Sequence, residues 1–144
     1  MNTKKCRDVM TENLVFATPE DTVSDVAKLM KREDIGPVLI VDNERARTLV
    51  GIVTDRDLAI KVVAEGRDPQ NTRVEEVMTR KLITCYADED VENAMKSMAQ
   101  YQLRRIPVVG ENMKLVGIIS QADVATRVDE PEKTAEVVRE ISQS

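Results

Sequence analysis

The chain has 144 residues, of which 42% are apolar and 33% charged, so it can bury a hydrophobic core and is not disordered as a whole. With 26 acidic and 21 basic residues its formal net charge is −5, which offers no overall positive field to nucleic acid or to an anionic membrane. It has no histidine, and its two cysteines lie far apart in the sequence, which excludes histidine triads and CxxC-type zinc clusters.

The first residues and the hydropathy of the sequence predict a soluble, cytoplasmic protein. The first residues are polar and lead into no apolar signal-peptide core, and no apolar run reaches the roughly 18 residues of a membrane span. In that compartment Cys6 and Cys85 are expected to be reduced thiols.

The sequence repeats itself once. The tripeptide beginning at Val9 recurs at Val77, 68 positions later. Two amphipathic helices follow, each with apolar residues spaced i, i+3, i+4, i+7 and a polar N-cap at Thr22 or Asp90. Their apolar faces consist of Val23, Val26, Ala27 and Met30 in the first copy, and Val91, Ala94, Met95 and Met98 in the second.

Two short strands are expected after each helix. An offset of 70 places Pro37 against Pro107, and each proline is predicted to precede a strand. An offset of 66 then places the segment from Leu49 to Thr54 against the segment from Leu115 to Ser120. The polar stretches 42–48 and 111–114 suit hairpin loops. Each copy is therefore predicted to be a β-α-β-β-α unit.

The fold class that follows is α+β, with two pseudo-twofold-related units that share one core because each is small on its own. The expected organisation is a first repeat over 7–64, a connector over 65–74, a second repeat over 75–128 and a C-terminal tail over 129–144. In the tail, Pro131 could start a short helix with an apolar stripe.

The third strand of each copy ends in the pattern hydroxyl-x-x-Asp, formed by Thr54 and Asp57 and again by Ser120 and Asp123. One interpretation is a capping box, in which hydroxyl and carboxylate satisfy free amides of the first helical turn. A functional interpretation is compatible with it, because a helix N-terminus attracts phosphate and a carboxylate accepts hydrogen bonds from ribose hydroxyls. The spacing alone does not decide between them.

Taken together, these features resemble the tandem CBS (cystathionine-β-synthase-type) domain pair, over nearly all of residues 7–128. The resemblance rests on the Val-Met-Thr segment, the helix start, the proline-containing strand and the Gly-Ile-Val/Ile-Thr/Ser-x-x-Asp close, in the same order twice. The stretch from Thr54 to Pro69 is similar to short stand-alone bacterial and archaeal members, including hypoxic-response and stress-associated proteins.

The resemblance implies a cleft between the repeats that binds an adenosyl ligand such as AMP, ADP, ATP or S-adenosylmethionine. Asp57 and Asp123 would hold ribose hydroxyls, and Thr54 and Ser120 would contact ribose or phosphate. The adenine would lie against strand residues that simple burial explains equally well: Val15, Phe16, Ala17, Thr18, Gly36 and Pro37 on one side, and Ile83, Thr84, Cys85, Tyr86, Ile106 and Pro107 on the other.

Phosphate needs cations, and the two copies differ in supplying them. The candidates are Arg56, Arg104 and Arg105, because arginine presents a planar fork of donors to phosphate oxygens. The alignment sets Arg104 and Arg105 against the acidic pair Glu33-Asp34, which puts occupancy of both sites in doubt. Cys85 is interpreted as a small buried residue rather than a redox sensor.

The predicted function is a non-enzymatic regulatory sensor of adenosyl ligands with a role in energy sensing. It is expected to transmit the occupancy of its ligand site to an unknown protein partner. No catalytic residues, metal or catalytic cofactor are expected, because no nucleophile–base pair or metal set is present. The alternative is an interaction scaffold that has kept the fold and lost ligand binding. The resemblance also implies a homodimer, for which Leu58, Ile60, Val62 and Val63 offer apolar surface. Neither nucleic acid nor a membrane is expected as a partner.

Overall fold

A computed structural model of the chain describes residues 4–127, and the tail predicted over 129–144 lies outside them. The chain divides into two compact units. We call residues 15–82 the first unit, and residues 4–14 together with 83–127 the second unit. Within residues 4–127, no helix has the length and apolar character that crossing a bilayer requires.

The first unit contains a three-stranded mixed sheet in the order β1-β2-β3. Strand β1 pairs parallel with β2, which pairs antiparallel with β3. Its helices and strands are β1 (Phe16–Ala17), α2 (Val23–Glu33), β2 (Val38–Val41), β3 (Leu49–Val53) and α3 (Asp55–Leu58), numbered after a helix α1 that belongs to the second unit. Helix α3 continues as a π-helical turn over Ala59–Val63, and a 3₁₀ turn covers Val74–Glu76.

The second unit repeats this arrangement with a sheet in the order β4-β5-β6. Its helices and strands are α1 (Cys6–Val9), β4 (Cys85–Tyr86), α4 (Val91–Tyr101), β5 (Arg105–Val109), β6 (Leu115–Ser120) and α5 (Gln121–Arg127). A 3₁₀ turn over Glu111–Met113 connects β5 to β6. The α+β class and the β-α-β-β-α order of each copy are therefore confirmed.

Thr22 and Asp90 stand at the N-cap positions of α2 and α4 as predicted, but only Thr22 caps its helix with the side chain. Thr22 caps α2 by accepting a hydrogen bond from the Asp25 amide at 3.1 Å, whereas Asp90 caps no amide of α4 and pairs with Lys5 Nζ at 2.8 Å. Both helices end in a left-handed residue, Asp34 or Gln102. Their predicted apolar faces are buried or packed against the sheets, with one exception, since Ala27 is exposed.

The strand pairing corrects the sequence alignment of the two copies. Ala17 pairs with Ile40, and the residues 68 positions later, Cys85 and Val108, pair in the same way. The offset therefore stays at 68 through the second strand of each copy and does not drift to 70. Pro37 precedes β2, whereas Pro107 lies inside β5, so the two prolines are not equivalent. The hairpin loop that follows is two residues shorter in the second copy, which reduces the offset to 66 in the last strand.

Each copy's leading segment packs on the unit that holds the other copy's sheet. We define the leading segments as residues 5–11 and 73–79, which include the repeated Val-Met-Thr tripeptides. Thr11 exchanges backbone hydrogen bonds with Ile118 of β6 at 2.8 and 3.0 Å. Thr79 does the same with Ile52 of β3 at 2.8 and 2.9 Å. The predicted repeat boundaries describe the sequence, whereas the compact units cross them.

A glycine in the last strand makes room for each leading segment. A Cβ at Gly117 would lie 2.7 Å from Met10 Cγ, and a Cβ at Gly51 would lie 2.7 Å from Met78 Sδ and 3.1 Å from the Thr79 carbonyl oxygen. These distances are shorter than carbon side chains tolerate. The methionine therefore lies flat against the strand where a side chain would otherwise stand.

We expect Gly117→Ala to destabilise the protein by about 1–3 kcal/mol, because the added methyl group overpacks the contact with Met10. Urea denaturation followed by circular dichroism measures this loss. Gly110→Ala in the same unit is the matched control, since its nearest neighbour would be Val116 Cγ1 at 3.6 Å, an ordinary contact. Equal stability of the two variants would contradict the proposed packing.

Candidate functional site

Some of the predicted site residues of each unit lie at one end of its sheet, whereas Tyr86 pairs with Val109 near the opposite, hairpin end. In the first unit Val38 pairs with Val53, so Pro37, just before β2, and Thr54, just after β3, lie at the same end. In the second unit Arg105 pairs with Ser120 at the corresponding end. At both ends the last strand turns directly into a short helix, α3 or α5.

At the turn of the first unit, Thr54 and Asp57 form a reciprocal capping box. The Thr54 amide donates to Asp57 Oδ2 at 2.9 Å, and the Asp57 amide donates to Thr54 Oγ1 at 3.1 Å. The second carboxylate oxygen, Asp57 Oδ1, lies 3.3 Å from Lys61 Nζ, which also donates to the Val77 carbonyl oxygen at 3.0 Å. The side chain of Asp57 is 18% exposed, so the carboxylate keeps access to solvent.

At the turn of the second unit, Ser120 and Asp123 form the same box. The Ser120 amide donates to Asp123 Oδ2 at 2.9 Å, and the Asp123 amide donates to Ser120 Oγ at 3.2 Å. Here the additional donor is Thr11 of the leading segment, whose Oγ1 lies 3.2 Å from Asp123 Oδ1. Asp123 is only 8% exposed, one of the few buried polar residues of the described chain.

The repeated motif thus has unlike partners in the two units. Asp57 faces the cation of Lys61, whereas Asp123 faces the neutral hydroxyl of Thr11. The hydrogen bonds of both turns are those of a capping box, which is the first of the two interpretations of the hydroxyl-x-x-Asp pattern. A carboxylate has about four lone-pair positions, and the two aspartates use them differently: Asp57 accepts from the Thr54 amide and faces Lys61, whereas Asp123 accepts from the Ser120 amide, the Ser120 hydroxyl and the Thr11 hydroxyl.

The predicted cations are exposed. Arg56 follows Asp55, whose carboxylate accepts its amide at 2.9 Å. In the second unit the Gln121 amide donates to the Arg104 carbonyl oxygen at 3.0 Å, and Arg105 is the register partner of Ser120. The backbone of both residues therefore adjoins the Ser120 turn.

The prediction that Glu33 and Asp34 occupy the positions equivalent to these arginines is wrong. With the offset of 68, the residues of the first unit that correspond to Arg104 and Arg105 are Gly36 and Pro37. The two acidic residues instead end helix α2. The first unit has no charge of either sign at these two positions.

The residues predicted for the adenine slot differ in burial. Ala17, Cys85, Ile106 and Pro107 are buried, and Tyr86 is exposed. The remaining members are partly buried: Val15, Phe16, Thr18, Gly36, Pro37, Ile83 and Thr84. Within each unit the partly buried and exposed residues are accessible from the surface, whereas the fully buried ones support the sheet.

A surface pocket of about 350 Å³ lies in the second unit beside the β5–β6 hairpin. Tyr86, Val109 and Met113 are among the residues that line it, and Ser120 and Asp123 are not. The pocket is therefore separate from the turn that carries the predicted ribose ligands.

No metal-binding cluster occurs among residues 4–127, where three or more cysteine, aspartate or glutamate side chains nowhere converge. Cys6 and Cys85 are free thiols buried in the same core of the second unit. Their proximity was not predicted from the sequence, nor were the roles of Thr11 and Lys61. The repeated Val-Met-Thr tripeptide and the glycines 66 positions apart were the visible signals of the leading-segment contact.

Comparison with known proteins establishes the class of this one. The CBS domain family model matches residues 6–64 and again residues 74–130. The chain therefore belongs to the CBS domain family and carries two copies of the domain.

Among its relatives is the CBS domain-containing protein YhcV of Bacillus subtilis, 36% identical over 136 residues that cover 94% of each chain. The crystal structure of Hypoxic Response Protein I with two coordinated zinc ions matches with a TM-score of 0.75 and 31% identity, over 87% of this chain and 99% of that one. The CBS domain pair of protein MJ0100, in complex with 5′-methylthioadenosine and S-adenosyl-L-methionine, matches with a TM-score of 0.69 and 29% identity, over 86% and 94%.

We expect Thr11→Val to destabilise the second unit by about 1.5–3 kcal/mol, because it removes a hydroxyl donor from the buried carboxylate of Asp123. Thermal unfolding of the full chain measures the loss. The matched control is Thr79→Val, the equivalent position of the other leading segment, which is exposed. If both variants unfold alike, the Thr11 hydrogen bond contributes nothing particular to the second unit.

Proposed function

We propose that this protein is a non-enzymatic regulatory module that binds an adenosyl ligand at the strand-to-helix turns of its two units. The observation that carries the proposal is the recurrence of one turn, Thr54 to Asp57 and Ser120 to Asp123, with a carboxylate fixed by its own capping box in both. The MJ0100 domain pair, which is similar in fold, is in complex with two adenosyl compounds.

The chemistry of the turn suits a ribose. Ribose hydroxyls are hydrogen-bond donors, and an aspartate held by backbone amides presents its remaining lone pairs in a fixed direction. Thr54 and Ser120 bring a hydroxyl to the same turn, for a contact with ribose or phosphate. The partly buried strand residues nearby, such as Val15 and Ile83, offer apolar surface to an adenine ring.

The exposed arginines distinguish among ligands of this class. Arg56 in the first unit, and Arg104 with Arg105 in the second, are the proposed phosphate contacts. AMP, ADP and ATP would use these cations, whereas S-adenosylmethionine carries no phosphate. A thermal-shift panel with AMP, ATP, adenosine and S-adenosylmethionine separates the two groups, because a ligand that binds only the native state raises the melting temperature.

A binding module regulates by responding to occupancy. A ligand shifts a conformational equilibrium only by its differential affinity for the two states, so a partner protein must bind one state better than the other. We propose that such a protein partner, and not a reaction in this chain, carries the output. CBS pairs of this stand-alone kind are regulatory rather than catalytic, and energy sensing through AMP or ATP would fit that role.

The alternative is an interaction scaffold with the same fold and no ligand. The observation in its favour concerns Asp123, whose carboxylate is buried and already accepts a hydrogen bond from the Thr11 hydroxyl. A chain whose melting temperature responds to no member of the adenosyl panel, at millimolar concentration, would favour the scaffold.

We expect Asp57→Ala and Asp123→Ala each to weaken adenosyl binding by about 10- to 150-fold at one site, because each removes a charged acceptor worth about 1.5–3 kcal/mol. Isothermal titration calorimetry with the ligand found in the panel measures the loss. Asp55→Ala is the matched control, since it removes the same charge from an exposed side chain of the same turn.

Circular dichroism must show that the variants fold, since loss of a capping box costs roughly 1 kcal/mol. If Asp57→Ala and Asp123→Ala together bind as tightly as the parent while Asp55→Ala does too, the ribose assignment is wrong. A loss in all three variants would indicate general electrostatics in place of a defined ribose contact.

We further propose that the protein is a homodimer that associates through the helical segment after β3. Leu58 and Val62 of that segment are buried, but Ile60 is 47% and Val63 75% exposed, which leaves two neighbouring apolar side chains in water. Light scattering should give about twice the 16.2 kDa of one chain. We expect Ile60→Glu with Val63→Glu to give the monomer mass, and a parent protein that is itself monomeric would refute the dimer.

A further inference from the structure

Two cysteines that are 79 positions apart in the sequence share one core of the second unit. Cys6 lies in α1 of the leading segment and Cys85 lies in β4. Both are free, with exposures of 0% and 2%, and both pack in the cluster that contains Val9, Ala94 and Met98.

Backbone hydrogen bonds hold the segment that carries Cys6 beside the segment that follows Cys85. The Cys6 amide donates to the Glu89 carbonyl oxygen at 2.9 Å, and the Arg7 amide donates to the Ala87 carbonyl oxygen at 3.0 Å. From the other side the Val91 amide donates to the Lys4 carbonyl oxygen at 2.9 Å. The leading segment is thereby aligned along the chain that leaves β4, and both thiols lie in one small core, where Cys6 Sγ donates to the Asp90 carbonyl oxygen at 4.0 Å and Cys85 Sγ to the Pro107 carbonyl oxygen at 3.8 Å.

The two thiols differ in their environments. The neighbouring Cys85 lowers the pKa of Cys6, against the opposing effects of burial and of the nearby carboxylates Glu89 and Asp90. The neighbouring Cys6, with burial, raises the pKa of Cys85. Cys6 is thus the more nucleophilic partner, and Cys85 is placed to react with it in a second step.

We propose that Cys6 and Cys85 are a redox-responsive dithiol that a hydroperoxide oxidises to an intramolecular disulfide, fixing the leading segment to the second unit. In the first step the Cys6 thiolate attacks one peroxide oxygen, the O–O bond breaks, and Cys6 becomes a sulfenic acid as hydroxide or alkoxide leaves. In the second step the Cys85 sulfur attacks the Cys6 sulfur, the S–O bond breaks, and the Cys85 proton leaves with the hydroxyl group as water. With hydrogen peroxide the balance is two thiols and one peroxide to one disulfide and two waters.

The buried thiols become accessible through local opening of the leading segment. Helix α1 has only four residues, and the side chains that flank Cys6 form exposed ion pairs, Lys5 with Asp90 and Arg7 with Asp88. Exposed ion pairs contribute little to stability, so this segment belongs to the part of the unit that opens first. Once the segment has closed again and the disulfide has formed, further opening is prevented.

The consequence reaches the candidate site, because the same leading segment carries Thr11, the hydrogen-bond donor to Asp123. A disulfide at Cys6 holds Thr11 beside Asp123, and a reduced pair lets the segment leave, which removes this one hydrogen-bond donor from the carboxylate. The proposal of a disulfide stands without any ligand, and its test therefore uses none.

The test is intact mass spectrometry of the full chain after stoichiometric hydrogen peroxide at micromolar protein concentration, with the remaining thiols alkylated under denaturing conditions. We expect both alkylatable thiols to disappear, a mass about 2 Da below that of the reduced chain, and full reversal by dithiothreitol. Because the bond closes a loop of 79 residues, the melting temperature of the oxidised chain should rise by about 10 °C.

The single variants distinguish the roles of the two thiols. In Cys6→Ala we expect Cys85 to stay reduced at the same exposure, because the attacking thiolate is gone. In Cys85→Ala, treated with two equivalents of hydrogen peroxide, we expect Cys6 to oxidise further, with a gain of about 32 Da for the sulfinic acid, since no second thiol resolves the sulfenic acid. The mass change of the parent chain is measured without any variant, so the test remains valid if either variant unfolds.

Three outcomes would overturn the proposal. The parent chain could keep both thiols under these conditions, its disulfide could form only between chains, or Cys6→Ala could lose its remaining thiol as fast as the parent loses both. Any of these would make the two cysteines ordinary core residues.

Discussion

Met10 lies over Gly117 in the second unit and Met78 over Gly51 in the first, at distances that leave no room for a side chain on either glycine. Just after each methionine, a threonine exchanges two backbone hydrogen bonds with the strand that carries the glycine. A leading segment can dock only where the strand is bare, because dense packing tolerates no extra methyl group at the contact. The other features of each unit, the capped turn and the buried core below it, are assembled around this contact.

The same contact explains why a repeated motif has two chemical environments. The leading segment brings Thr11 to Asp123, whereas the carboxylate of Asp57 is reached by Lys61 from the helical segment of its own copy. A neutral hydroxyl suits a buried carboxylate that needs a partner, and a lysine suits a more exposed one. Two turns that share the hydroxyl-x-x-Asp pattern therefore differ in their side-chain donors and in exposure, so two ligand sites built on them would differ in affinity.

The sequence predicted what is local. Periodicity located α2 and α4, polar stretches located both hairpins, and the hydroxyl-x-x-Asp spacing located both capping boxes. The alignment of Pro37 with Pro107 failed, because proline is conspicuous in a sequence but is tolerated both before a strand and inside one. The crossing of the leading segments and the meeting of Cys6 with Cys85 depend on contacts between residues far apart in the chain, which no local pattern encodes.

The leading segment of the second unit combines strong and weak attachment. Cys6 and Val9 are fully buried, and Thr11 exchanges two backbone hydrogen bonds with Ile118, but the segment is short and its ion pairs are exposed to water. Surface ion pairs are screened and contribute little, so the burial of a few side chains must hold the segment. A segment held in this way can detach without unfolding the sheet beneath it. Since it carries both a thiol and the donor to Asp123, a chemical event at the core would be transmitted to the turn by one short piece of backbone.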